Sequence, residues 1–444
     1  MSKKVFVSMF VLFALALASC APAAPAAEAP AAEAPAAEAP AEEAPAEAEG
    51  PVCQAPVCED YAVEAMPVAD VEAACAADDY GCAVINPGQT IKIGMGSPMT
   101  GGDSAFGIDA ENSGKIAVAD ACTVAGFQFE LMAEDDTGTA EGGAAVANKF
   151  AADPTVVGVA GHLFSGASFA AAPIYEEVGI VMLSPSATNP GLTQQGFRVF
   201  NRVPFTDALQ GKAAAEYLFN ELGFTKVAFM HDSQDYGKGL AEIAAAEFEA
   251  LGGEAVEVMG ITSKEADYSP VLTTIAAKGP DAIYFGGYTQ DGGVIANNMK
   301  TTGLENAVFF GCDGTFGTDF LNRAGENAEG SFHATPRTPP DTPEKANFDV
   351  CYTEAYGVGP GELSPFTWNS YDTTTALTQK VKELAMLGDN GSLYIPRGAL
   401  VDGVRNLTNW TGISGTYSCA PVGDCNIEGP QFWVVQNGEF VAVN

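Results

Sequence analysis

The polar residues with chemistry to offer sit in five short stretches, each directly after an apolar run. SPMTGGDSAFG follows TIKIGMG, HLFSGAS follows VVGVAG, and SATNPG follows GIVMLSP. TQDGG and TFGTD follow AIYFGGY and VFFGCDG in the same way. Ser165, in HLFSGAS, stands where an apolar run gives way to the helical pattern ASFAAAPIYEEV. A serine there serves as a nucleophile, as an N-cap, or as a grip on an anion, since a helix start offers free N–H groups and partial positive charge. The nucleophile reading needs a Gly-x-Ser-x-Gly elbow. Leu163 and Ala167 occupy the positions two before and two after Ser165, so the elbow is absent. His162 is close in the chain, but its spacing gives no reason to aim at Ser165. The chain is therefore read as a binder and not as an enzyme. Ser186 and Thr188, in SPSATNPG, are either an ordinary turn or a second grip on the same anion. Asp313 either caps the next segment or meets an ammonium ion. Tyr288 and Phe106, aromatic residues in Gly-rich loops, either pack on their own lobe or cover a cation or an apolar side chain. Anion grips in one half of the chain and a carboxylate in the other suit a zwitterion held between two lobes.

The elements that must position these residues are legible in the periodicity. From Thr90 onward, short β-rich runs alternate with amphipathic stretches: TIKIGMG, FQFELMAEDD, TVVGVAG and GIVMLSP as strands, with helices between them. The pattern then restarts with TKVAFMHD, EAVEVMGI, PDAIYFGGY and AVFFGCDG. Such alternation predicts parallel sheets covered by helices on both faces. Two runs of it predict an α/β protein of two doubly wound parallel-sheet lobes. In sheets of this kind ligands bind beyond the carboxyl ends of the strands, where the five polar stretches fall.

The chain has 444 residues, 47% of them hydrophobic and 17% charged, which allows two or three domains with substantial cores. With 57 acidic and 20 basic residues its formal charge is −37, a surface that repels phosphate backbones, so nucleic acid is not expected as a partner. No cofactor and no metal is expected: no Cys-x-x-Cys occurs, and no histidine lies near the cysteines clustered early in the chain. MSKKVFVSMFVLFALALASC reads as an export signal, with Lys3 and Lys4 ahead of an apolar run too short to span a bilayer comfortably. Leu17-Ala18-Ser19-Cys20 resembles the bacterial lipobox, which implies a signal over residues 1–19 and a lipid on Cys20 as the mature N-terminus. Residues 21–50 repeat Ala, Pro and Glu; the prolines forbid a long helix and nothing is available for a core, so they read as a tether. Residues 51–89 carry Cys53, Cys58, Cys75 and Cys82, for which disulfides are expected in an exported protein, with no role assigned to the segment. Cys419 and Cys425 are expected to close a local loop. Nine cysteines remain after Cys20, so at least one is free or pairs between molecules.

The motifs carry a family resemblance. GHLFSGASFAAAPIYEEVGIVMLSPSATNPGLT resembles the periplasmic leucine/isoleucine/valine-binding proteins of ABC transporters, and so do HDSQDYGKGLAE, YFGGYTQDGG and GPGELSPFTWNSYDTTTAL, in the family's order. The resemblance runs from about Thr90 to the C-terminus. It implies the type I periplasmic binding fold, two α/β lobes joined by three hinge crossings, placed near Thr206, Thr335 and Pro421. Lobe 1 is then residues 90–206 and 335–421, and lobe 2 residues 207–334 and 422–444. It also implies roles. Ser165 and Thr188 bind an α-carboxylate, Ser186 offers a backbone carbonyl to an ammonium group, and Tyr288 contacts the ligand from the second lobe. Asp313 falls at the ammonium-binding acid, and Phe106, Tyr236 and Phe366 fall at aromatic lining positions. Two departures stand out: Asp313 is shorter than the glutamate common in the family, and Phe164 replaces a cysteine. The implied function is an extracytoplasmic lipoprotein that captures an amino acid, of branched-chain type first, and delivers it to an ABC permease. The competing readings are a ligand sensor of the same fold, or a binder of short amides, urea or aromatic acids.

Overall fold

The computed structural model describes residues 53–426 and 428–443; the signal, Cys20 and the Ala/Pro/Glu repeat lie outside them. Ile91, Ile93 and Met95 are fully buried in strand Ile91–Ser97, and every residue of strand Val156–Ala160 is buried. Strands buried on both faces this way belong in the middle of a parallel sheet. They sit side by side at the centre of a seven-stranded sheet. Its order is Asp60–Tyr61, Thr123–Val124, Phe127–Asp135, Ile91–Ser97, Val156–Ala160, Val181–Ser184, Phe200–Arg202. A second seven-stranded sheet runs Glu254–Gly260, Lys226–His231, Ala282–Gly286, Val308–Phe310, Phe332–Thr335, Gln431–Gln436, Glu439–Val443. Within each sheet the five parallel strands, counted along the chain, lie in the order 2-1-3-4-5. The switch point of such a sheet falls between its first and third strands, and there a crevice opens at the carboxyl ends.

The chain crosses between the sheets three times. It leaves the first after Phe200–Arg202 and enters helix Asp207–Glu216, which packs on helix Asp235–Ala250 of the second. It returns after Phe332–Thr335 through a proline-rich stretch to helices Pro343–Tyr356 and Thr367–Leu384, which pack on helix Ser104–Asp120 of the first. It crosses again between Tyr417 and Gln431, where Arg202 and Asp424 form a parallel bridge.

Residues 53–89 are part of the first lobe. Strand Asp60–Tyr61 joins its large sheet, and Ala65–Met66 and Cys82–Ile85 form a small sheet with Met386–Gly388 and Leu393–Pro396. Disulfides join Cys53 to Cys351, Cys58 to Cys122, Cys75 to Cys82 and Cys419 to Cys425. Two of the four early cysteines thus pair far along the chain, and Cys312 is the free, buried one among the described residues.

Candidate functional site

The loops after the strands of both sheets converge on one narrow cavity of about 10 Å3, room for one water. From the first lobe Phe106, Phe164, Ser165, Ser186 and Phe366 line it; from the second, Tyr236, Tyr288, Asp313 and Gly314. Seven of the eight binding positions expected from the sequence therefore face one space, and the eighth, Thr188, is buried close behind it beside Asp207. Phe106 and Ser165 follow the strands that flank the first switch point, and Tyr236 and Tyr288 those that flank the second.

Local structure corrects two details. Ser165 is not an N-cap: Phe164 holds that position in extended backbone, and Ser165 opens the helix Ser165–Val178. Its Oγ accepts the amide of Asn189 at 3.3 Å, which leaves its own proton to give. Phe106 lies not in a loop but in the first turn of helix Ser104–Asp120. The Ser186 hydroxyl donates to Leu163 O at 2.7 Å and so ties the two loops together. Arg202 fixes the second loop from behind. Its Nη1 donates to Ala187 O (3.1 Å) and Asn189 O (2.7 Å), and its Nε to Asp424 (2.6 Å).

The opposite wall is acidic. Asp313 accepts from the Tyr236 hydroxyl, from Gln210 Nε2 at 3.2 Å and from the Gly314 amide at 2.9 Å. Burial pushes its carboxyl up to about 6. Asp207, fully buried, has both oxygens without a hydrogen bond among the described residues, as have Thr188 Oγ1 and Gln210 Oε1. Burial first, and the Asp313 charge second, raise Asp207 well above the carboxylate range; Thr188 lies close enough to offset this slightly but outside hydrogen-bond geometry. The nearest cation, Arg202, is already matched by Asp424. Among the described residues Asp207 is therefore left with no hydrogen-bond donor of its own, beside the buried Asp313. Gly314 lets the loop close on them, because a Cβ there would lie 2.4 Å from Gly287 O.

Catalytic groups do not assemble around Ser165. His162 is fully buried and spends its ring on Asp136 (2.6 Å) and Tyr175 (2.9 Å). Burial pushes the Cys312 thiol up to about 12, far from a thiolate at neutral pH. No group of three or more His, Cys, Asp or Glu side chains among the described residues is arranged to hold a metal.

Links beyond the cavity draw the lobes together. Asp103 Oδ1 of the first lobe accepts Thr289 Oγ1 (3.1 Å) and the Gln290 amide (3.0 Å) at the start of helix Thr289–Met299 in the second. Asn189 Nδ2 donates to Asp235 O at 2.7 Å. Asp207, Gln210, Arg202 and Asp103 were not singled out from the sequence. Asp207 reads there as one more acid in the first turn of a helix, and only its burial separates it from the others.

Two doubly wound lobes, three crossings and a cleft between a helix start and a buried acid define a two-lobed solute-binding protein. The sequence pattern of the family described as "Periplasmic binding protein" matches residues 90–423, and this chain belongs to that family. It is 31% identical over 295 residues to Leu/Ile/Val-binding protein homolog 1 of Brucella suis, covering 66% of this chain and 78% of that one. The solved leucine-binding protein of Thermotoga maritima superposes with a TM-score of 0.72 at 29% identity, over 80% of this chain and 98% of that chain. The branched-chain amino acid transporter substrate-binding protein of Streptococcus pneumoniae, solved with isoleucine, does so at 0.70 and 25% identity, over 80% and 99%. The fold is that of these type I binding proteins, and the family places the protein outside the cytoplasm.

Proposed function

We propose that the protein captures a free amino acid between its lobes and delivers it to an ABC permease, with branched-chain amino acids the first class to test. The observation that carries this reading is the pair Asp207 and Asp313, buried beside each other without a dedicated cation: Asp313 lines the cleft opposite the start of helix Ser165–Val178, and Asp207 is fully buried next to it. An α-ammonium between the two acids satisfies both of them. The α-carboxylate then meets the Ser165 hydroxyl and the helix-start amides, with Thr188 beside them. Ser186 offers its carbonyl to the ammonium. Tyr288 closes from the second lobe, and Phe106, Tyr236 and Phe366 line the side-chain space. The role is binding and not catalysis, since Ser165 has no base. The names of the relatives support an amino acid as ligand. The chain is held to the membrane by lipid on Cys20.

A thermal-shift screen over the amino acids tests the reading. A ligand at a hundred times its dissociation constant stabilises the folded protein by about 2.7 kcal/mol. If no amino acid shifts the transition of the folded protein, the reading fails.

A further inference from the structure

The apolar end of the cleft is occupied by an aromatic cluster that the resemblance does not explain. Contacts run in a chain from Asp313 to Tyr236, from Tyr236 to Tyr288 (ring centroids 5.3 Å apart), and from Tyr288 to Phe164. The last pair is stacked, with centroids 3.8 Å apart and planes 15° from parallel, and Phe106 meets Phe164 edge-on at 5.8 Å. An amino acid whose ammonium lies at Asp313 and Asp207 directs its side chain along this line, toward the Phe164–Tyr288 contact.

Phe164 and Tyr288 differ in their freedom to move aside. Phe164 is backed by main chain: a Cβ on Gly138, whose φ is +67°, would lie 2.6 Å from the Phe164 ring and 3.5 Å from Pro98. Its ring therefore has little room to retreat into its own lobe. Tyr288 belongs to the other lobe, and directly after it Thr289 and Gln290 are held by Asp103 across the cleft. Every carbon added to a ligand side chain must part Phe164 from Tyr288, and parting them pulls on that inter-lobe link. Length is penalised twice, in lost ring contact and in incomplete closure.

Resting on the amino-acid reading above, we infer that Phe164 sets the length of side chain the site accepts. The ligands taken best are amino acids whose side chains end at Cβ or Cγ, alanine and valine, ahead of leucine, isoleucine, methionine and phenylalanine. Phe164 is a specificity-determining residue that replaces reach with bulk.

Calorimetric titration of the full-length protein, and of the Phe164→Ala and Phe164→Leu variants, with alanine, valine, leucine, isoleucine and phenylalanine tests this. The wild type is expected to bind alanine or valine at least tenfold tighter than leucine. Phe164→Ala is expected to reverse the order, with leucine gaining at least tenfold, and Phe164→Leu to fall between. Leucine, isoleucine or phenylalanine bound by the wild type as tightly as alanine and valine overturns the inference and leaves the amino-acid reading standing. So does a folded Phe164→Ala or Phe164→Leu with an unchanged ranking. Silence toward every amino acid in the wild type and both variants overturns the amino-acid reading and this inference together.

Discussion

The role proposed for Asp313 sets stability against binding in a single carboxylate. Its folded-state value of about 6 lies above the 3.8 of an unburied aspartate, so between those values the folded chain holds more protons than the unfolded one. Stability then falls as pH rises through that window, by an amount on the order of 3 kcal/mol, and the loss is complete above about pH 6. An ammonium needs the ionised form, so ligand affinity should move the opposite way and weaken as pH drops below 6. Asp313→Asn separates the two effects. The ligand-free variant should melt higher than wild type at pH 7.5, with the gap closing near pH 4. Its affinity should fall by roughly two to four orders of magnitude, the cost of breaking a desolvated ion pair. Calorimetry and melting curves at the two pH values check both arms. Wild-type affinity in a folded Asp313→Asn would place the ammonium elsewhere. Ser165→Ala should cost less, because the helix-start amides remain.

At the scale of elements, the cleft is set by what holds its loops and helix ends. Arg202 ties the loop of Ser186 and Thr188 to Asp424 on the third crossing, so that loop is built on the hinge itself. Asp103 does for the closed cleft what an N-cap does for a single helix, but from the other lobe. Removing it should cost the closed form a cap, about 1 kcal/mol, and leave each lobe intact. Asp103→Ala is therefore expected to weaken ligand binding roughly fivefold. Small-angle scattering should show that variant needing more ligand to reach the same compact radius of gyration. An unchanged titration would mean that this link contributes nothing to closure.

Across the whole molecule, the N-terminal segment is tied to one of the two lobes. The bridges Cys53–Cys351 and Cys58–Cys122 and the short strands of residues 60–85 fasten the N-terminal segment to the first lobe alone. The second lobe is joined to it through the three crossings and the contacts across the cleft, an arrangement suited to hinge closure. No helix among the described residues is long and apolar enough to cross a membrane. The lipid proposed for Cys20 would be an anchor of a different kind. Cys20→Ser should move the protein from the membrane fraction to the soluble one. Retention on membranes after a high-salt wash would refute the lipid.

The alternation of short apolar runs with helical stretches was enough to give two doubly wound lobes, because parallel strands are buried on both faces and leave few other readings. It also placed Phe106, Ser165, Ser186, Tyr288 and Asp313 at the ends of strands, where they meet, while Tyr236 and Phe366 were expected there only from the family resemblance. Local pattern could not reveal what depends on partners distant in the chain. Asp207 looks like any acid in a helix's first turn, and its meaning comes from Asp313, brought beside it by the hinge. Cys53 and Cys58 look like a local disulfide cluster, yet residues 53–85 fold back along the first lobe and pair them with Cys351 and Cys122. Phe164 was noticed only for the cysteine it replaces; that it closes the apolar end follows from Tyr288 stacking on it from the other lobe. The sequence alone determined the succession of strands and helices, since periodicity is local, though it left Phe106 in a loop and Ser165 at a cap. Which groups face one another across the cleft was decided by the tertiary structure, because burial and electrostatic coupling depend on distance in space.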